Sequence, residues 1–412
     1  MGAALLEDLI PLYPVYAILF ADSTIPGAGL SAAEISALFA LWSVSTVIVE
    51  VPTGILADRY SRRHLLVAGP LVTGAGFALW TFAPSFLSFA AGFVLWAIGG
   101  SLRSGTNQAL VYDELAHLGR SQDYARLAGA MRAAAAVGVI GGTALAVPLL
   151  GWGGYAAVGA ASVAACVLCA IVSAGLPETG ARTADPDDAD LAEVDLDDAD
   201  LDDEPTGWIA ILRSGLHDLR DQPVARRLLM LVIALTWVAA LDEYLPLLVE
   251  SFLAGPGSGT TPQAVALLMI VVAVGDICGS LAARRIRRPS AIGPAVGVGA
   301  VALVLASLWG HPAGVVGIAV AFGIFGWALV VADAALQDQL SSGSRATVTS
   351  IAGMGEEVVA ILAFAGWAAG STHLGPATMF AIAALPYAVV AGAMTVRASR
   401  RWRKRMSRNA PT

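Results

Sequence analysis

The sequence predicts an all-α, polytopic membrane protein with twelve transmembrane helices in two pseudo-symmetric six-helix bundles. Its 412 residues are 57% hydrophobic and 14% charged, with a mean hydropathy of +0.71, whereas soluble domains carry roughly 25% charged residues. Apolar runs of about 17 to 25 residues, the length a helix needs to cross a bilayer, recur near 5–25, 33–57, 64–83, 85–111, 126–149, 153–176, 227–252, 261–283, 290–309, 313–336, 346–370 and 374–396. Their Ala, Leu, Val and Gly show no period-two alternation, so helices rather than barrel strands would satisfy the backbone in lipid.

The first run is interrupted by Pro11 and Pro14 and has no small-residue cleavage pattern after a basic start, so it reads as a retained helix and not a signal peptide. Asp22 stands at its outer end. The second run carries Glu50 before Pro52 and leads into a charged turn, Gly54 to Leu66, reading GILADRYSRRHLL. The fourth holds Arg103, ten residues before Asp113, which is about 15 Å of straight helix and places the guanidinium near the bilayer middle. Arg132 lies about 9 Å into the fifth run. The pairs Gly99 and Gly100, and Gly141 and Gly142, read as close helix contacts. Cys166 and Cys169 form an i, i+3 pair in the sixth, with no second pair or nearby histidine, and read as packing residues.

Residues 177–226 separate the two sets of six runs. Within them, 185–204 contain twelve Asp and Glu and no base, so the net charge of −8 is a local matter: the remainder has 24 bases against 20 acids. Low hydrophobicity and self-repulsion predict a disordered cytoplasmic linker, with 208–220 amphipathic enough to lie along the membrane surface. The chain then divides into an N-terminal half at 1–176, the linker at 177–226, a C-terminal half at 227–396 and a basic cytoplasmic tail at 397–412.

In the second half, Asp242 and Glu243 are adjacent in helix seven, Asp276 lies in helix eight, Asp333 in helix ten, and Glu356 and Glu357 in helix eleven. Ionisable residues inside a membrane are costly and are functional candidates by default; these are Arg103, Asp22, Glu50, Arg132, Asp242, Glu243, Glu356 and Glu357. Neighbours along a helix point about 100° apart, so only one of each adjacent acid pair should face a shared cavity. Histidines at loops or helix ends and cysteines inside apolar runs give no metal site. Phosphate-loop, H-E-x-x-H and G-x-S-x-G motifs are absent from the sequence, so no enzyme, cofactor or nucleotide-driven machine is expected.

With both termini inside, 22 of the 24 Lys and Arg fall in cytoplasmic segments, Arg103 and Arg132 lie within helices, and none is left outside. This fits the positive-inside rule. Trp80, Trp152, Trp309 and Trp367 fall near outer helix ends, where an interfacial aromatic belt would place them.

The charged turn resembles the loop between the second and third transmembrane helices of major facilitator superfamily transporters, G-x-L-a-D-r-x-G-r-k-x-x-l. Gly54, Leu56, Ala57, Asp58, Arg59, Arg62, Arg63 and Leu66 match it, and Ser61 stands where the family usually has glycine. A serine at positive φ would be strained, so the turn either differs there or holds a permissive angle. A shift of 225 residues lays Gly279, Leu281, Ala282, Arg284, Arg287 and Arg288 on the first copy, with Ala283 in the place of Asp58 and Asp338 on Asp113, as two parallel repeats would. In the family, the loop aspartate and later arginine form a cytoplasmic latch with an acid at the end of the fourth helix. Asp113 matches that acid, and Arg62 or Arg63 would be its partner. A fourth-helix arginine recurs in proton-coupled members, which makes Arg103 the expected coupling residue, with Asp22 and Glu50 as candidate partners unless Asp22 caps an outer turn and Glu50 packs at the inner gate; Arg132 would be a second buried base paired with one of these acids.

The resemblance implies a secondary active transporter in the cytoplasmic membrane, a monomer that handles a small-molecule substrate and protons within the lipid bilayer and binds no nucleic acid. Apolar and aromatic residues such as Tyr13, Tyr16, Phe20, Trp237 and Tyr244 favour proton-coupled efflux of an amphiphilic or hydrophobic compound. The run Val137 to Gly142 keeps only the paired glycines of the drug-exporter signature. Uptake symport of a polar metabolite, or a membrane sensor that does not transport, stays open.

Overall fold

The computed structural model describes residues 1–59, 61–178, 222–254, 261–340 and 342–408. Among these, every element is an α-helix or a short 3-10 turn, and ten helical stretches are long and apolar enough to cross a membrane. The side chains of Gly54, Asp58 and Arg59, those of the basic tail, most of the acidic linker and the expected surface helix at 208–220 lie outside the described residues.

The first run is two short helices, α1 (Gly2–Asp8) and α2 (Tyr16–Ala21). Pro11 and Pro14 remove two donors and separate them, and the N–H of Leu12 donates instead to Ser162 Oγ at 3.1 Å, a side chain replacing a lost helical acceptor. Helix α3 (Ala32–Arg59) starts on a capping box: Ser31 N donates to Glu34 Oε2 at 2.8 Å and Glu34 N donates to Ser31 Oγ at 3.3 Å. After α4 (Arg62–Phe82), the fourth run divides into α5 (Phe86–Arg103) and α6 (Thr106–His117) at Gly105, whose φ is 71°. The straight helix expected between Arg103 and Asp113 is therefore interrupted at Ser104 and Gly105. Helix α7 (Tyr124–Ala174) bends at Gly154, φ 60° and ψ −152°, a conformation open to glycine and to few other residues.

The C-terminal helices are α8 (Pro223–Leu235), α9 (Trp237–Asp242), α10 (Leu245–Leu253), α11 (Pro262–Ala282), α12 (Ile292–Trp309), α13 (Gly314–Gln337), α14 (Ser342–Gly370), α15 (Pro376–Ala383) and α16 (Leu385–Arg408). Pro246 breaks the chain between α9 and α10, because its ring clashes with the carbonyl of Asp242 and it has no N–H to donate. The break falls on Asp242, Glu243 and Tyr244.

Helix α1 lies on α7, where Gly142 leaves room for the Ile10 backbone, 2.7 Å from where a Cβ would stand, and Gly141 sits under Leu9. Gly99 packs against Gly69 and Thr73, but Gly100 faces open space, so only one member of that expected pair makes a close contact. The N-terminal core is aromatic: Tyr16, Phe20, Phe39, Phe77, Trp80, Phe89 and Phe93 are all buried. Trp80 is fully buried and donates to the Phe89 carbonyl at 3.0 Å. Trp367 is likewise buried, against Tyr244. The expected tryptophan belt is thus confined to the exposed Trp152 and Trp309; proximity to a helix end says nothing about which face the ring takes. The N-terminal and C-terminal helices meet through α3 on α14, α7 on α11, and α2 on α10.

Candidate functional site: a cavity between the two sets of helices

A cavity of about 630 Å³ lies where these contacts leave a gap. From the N-terminal side, Tyr13, Trp96 and Trp42 form a stacked row along its wall, with ring centroids 5.4 Å and 4.5 Å apart and interplanar angles of 18° and 14°. Tyr16 also lines it, and its buried hydroxyl has no hydrogen-bond partner among the described residues. From the C-terminal side come Asp242, Glu243 and Asp276. No ion pair reaches these three carboxylates among the described residues. An aromatic wall therefore faces an acidic one.

Both Asp242 and Glu243 reach the cavity, where only one was expected. The rule of 100° per residue applies to a continuous helix, and Pro246 ends that helix at this point. Asp276 fits because Gly326 of α13 has no side chain; a Cβ there would run into its Oδ1. Glu243 also borders a side chamber of about 100 Å³ that it shares with Glu356, Glu357, Ser43 and Trp42. Glu357 shares a side-chain hydrogen bond with Ser43 across the α3 to α14 contact.

Arg103 lies at the edge of this region with its side chain 12% exposed. Its Nη1 is 3.3 Å from Glu7 Oε1. Asp8, a cavity-lining residue, feels the charge of both. The expected partners are elsewhere. Asp22 closes the turn that follows α2, accepting from Thr24 N at 2.9 Å and Thr24 Oγ1 at 2.6 Å. Glu50 is exposed, does not line the central cavity, and lies close enough to Glu357 for their charges to interact. Arg132 is exposed, lies one turn before the cavity-lining Ala136 on the same face of α7, and makes no ion pair among the described residues. The sequence reading passed over Glu7 and Asp8, although two adjacent acids inside an apolar run, just before a double proline, were signal enough.

Away from the arginine-rich loops, side chains beyond the cavity join the two sets of helices. Tyr244 donates to Ser36 Oγ at 2.7 Å, and Phe39 packs on both Tyr244 and Phe364, centroids 5.3 Å and 5.4 Å apart. Toward the arginine-rich end its lining includes the exposed Val330.

At that end, Arg62 is bonded to Asp113, joining the start of α4 to α6. Ser61 has φ −54° and caps α4, so no positive φ is required of it. Its hydroxyl donates to Glu178 Oε2 at 2.5 Å, while the N–H of Arg62 donates to Glu178 Oε1 at 2.8 Å. A glycine would keep the turn and the Arg62 N–H bond but lose the hydroxyl's hold on the first residues of the linker.

The solved structure of the nucleoside transporter NupG superposes with a TM-score of 0.67 at 13% sequence identity, covering 96% of each chain. A variant of the same transporter gives 0.71 at 14%, covering 96% of this chain and 98% of the other. At such identities the likeness concerns the fold. No curated protein sequence matches the chain. The family model for the Major Facilitator Superfamily matches residues 9–364, most of the sequence and every residue that lines the cavity except Asp8, and the chain accordingly belongs to the Major Facilitator Superfamily of membrane transporters.

Proposed function

We propose that the protein is a proton-coupled secondary transporter that exports an amphiphilic or hydrophobic small molecule by alternating access. The observation that carries this reading is the central cavity, whose stacked Tyr13, Trp96 and Trp42 suit a flat apolar surface and whose Asp242, Glu243 and Asp276 can each exchange a proton. Protonation of a carboxylate that also holds substrate makes the two ligands compete, which is the requirement for antiport. Arg103 is the coupling residue, held by Glu7 and close to Asp8.

The architecture in this reading is twelve spans in two halves. Of the ten long stretches, Ser121–Ala174 counts twice because it bends at Gly154, and the broken pair α1 and α2 supplies one more. With the arginine-rich end cytoplasmic, the cavity opens inward. Gly54, Asp58, Arg59, Arg62, Arg63 and Asp113 form the latch on that side, and in the opposite state it would engage α14. Asp242, Glu243, Glu356 and Glu357 belong to the proton path. Arg132 stands at the cytoplasmic mouth and Asp22 and Glu50 serve the two ends of the N-terminal half.

Uptake symport is the second reading, favoured by the likeness to solved structures of a nucleoside transporter. Proteoliposomes loaded with ethidium or with uridine, under a pH gradient of either orientation, separate the two. Export requires ethidium to move against the proton flow; uptake requires uridine to move with it. If neither compound, nor any ligand found by thermal shift, moves or drives proton movement, the transport reading falls and a sensor remains.

A further inference from the structure

Helices α11, α12 and α13 enclose a second groove of about 600 Å³, on the outer face of the C-terminal half and separate from the central cavity. Its floor is bare because Gly275 and Gly279 lie on Gly323, whose Cβ position would be 2.5 Å from the Gly275 carbonyl oxygen. Val316 and Val320 on its rim are 59% and 50% exposed. At the arginine-rich end the groove passes under Ile286 and Ala291, so its mouth is the loop that carries Arg284, Arg285, Arg287 and Arg288. All four arginines are exposed, and none forms an ion pair among the described residues. Trp327 Nε1 donates to the Ile286 carbonyl at 3.1 Å and pins this loop to the groove wall.

We infer that this groove binds an anionic phospholipid, with an acyl chain in the apolar trough and the phosphate on the arginine loop. The loop is the second copy of the charged turn. In the first copy Arg62 has Asp113 as its partner; in the second, the aspartate position is the buried Ala283, and Asp338, which corresponds to Asp113, is exposed and forms no ion pair among the described residues. Guanidinium groups without an internal acid present forked donors suited to a phosphate. A lined trough with almost no polar atoms asks for a chain that needs no hydrogen bond. A second copy of the protein fits less well, since a two-fold interface through this face would bring the two arginine loops together. Each arginine near the membrane surface is worth roughly a fivefold preference for anionic over neutral lipid.

The test uses the full chain in nanodiscs of phosphatidylcholine doped with a diazirine-bearing phosphatidylglycerol or a diazirine-bearing phosphatidylcholine, with photo-insertion mapped by peptide mass spectrometry. Insertion into α11 and α13 peptides should be about fivefold or more higher for phosphatidylglycerol. Arg287→Gln with Arg288→Gln should bring the ratio toward one, Arg287→Lys with Arg288→Lys should largely keep it, and Val320→Trp should reduce insertion by both lipids. Equal insertion by the two lipids, or a ratio unmoved by the glutamine variant, overturns the proposal. So does efficient linking of two chains through the exposed Cys278 by a bifunctional maleimide, because the groove would then be an interface between copies.

Discussion

Tyr244 donates its hydroxyl to Ser36 at 2.7 Å, a buried hydrogen bond that joins α3 to the break between α9 and α10 and ties the two sets of helices together beyond the end of the cavity. The ring also stacks on Trp367, centroids 4.0 Å apart at 12°, so Tyr244→Phe removes the hydrogen bond and leaves the packing. A net hydrogen bond of about 0.5 to 1.5 kcal/mol predicts a shift of roughly 2- to 10-fold toward states open at this end. Accessibility of a reporter cysteine placed beside Ser36 would measure it; unchanged accessibility would mean that the bond does not hold the gate.

Arg103→Ala should leave Glu7 without its partner and abolish coupling more than binding. The expected outcome is ligand affinity within a few-fold of the wild type, with substrate-driven proton movement lost. Arg103→Lys keeps the charge but not the fork and should restore part of the coupling. If Arg103→Ala transports with the same pH dependence as the wild type, Arg103 is not the coupling residue.

Asp242→Asn combined with Asp276→Asn should weaken the competition between protons and ligand, seen as a flatter pH profile of binding. Gly326→Ala is the milder version, since its methyl group would displace the Asp276 carboxylate. Binding of a neutral apolar ligand should change little in either. Equal losses for charged and neutral ligands would mark these residues as structural.

Ser61→Gly should cost stability even though it restores the family's usual residue, because φ −54° gains nothing from glycine and the bond to Glu178 is lost. The expected cost is about 1 kcal/mol, read as a lower melting temperature. Glu178→Gln should give a similar loss, and the double variant should fall short of the sum.

The membrane class and the helix positions were legible because hydropathy over some twenty residues reports directly on the solvent a helix faces. The breaks were only partly so. Pro11 and Pro14 announced the first, but Pro246 was not connected to the acids four and three residues before it, and Gly105 was not read as an interruption of the fourth span. Arg103 was found by its cost in lipid, whereas its partner Glu7 was overlooked near the chain's start. Faces were the weakest point: Asp22 and Arg132 have the right chemistry, but periodicity in an apolar helix does not reveal which side meets the cavity, and only packing supplies that.

The central claim is that the two sets of helices rock about the cavity and expose it at one end at a time. Spin labels at Leu118 and Gln339 report the arginine-rich end, and labels at Ala83 and Thr372 report the other, in a background with Cys278 replaced; Cys166 and Cys169 are buried. Double electron–electron resonance distances across a change of pH or on ligand addition should move in opposite directions for the two pairs, one shortening as the other lengthens. Two pairs that lengthen together, or that stay fixed under every ligand and pH that alters flux, would contradict alternating access.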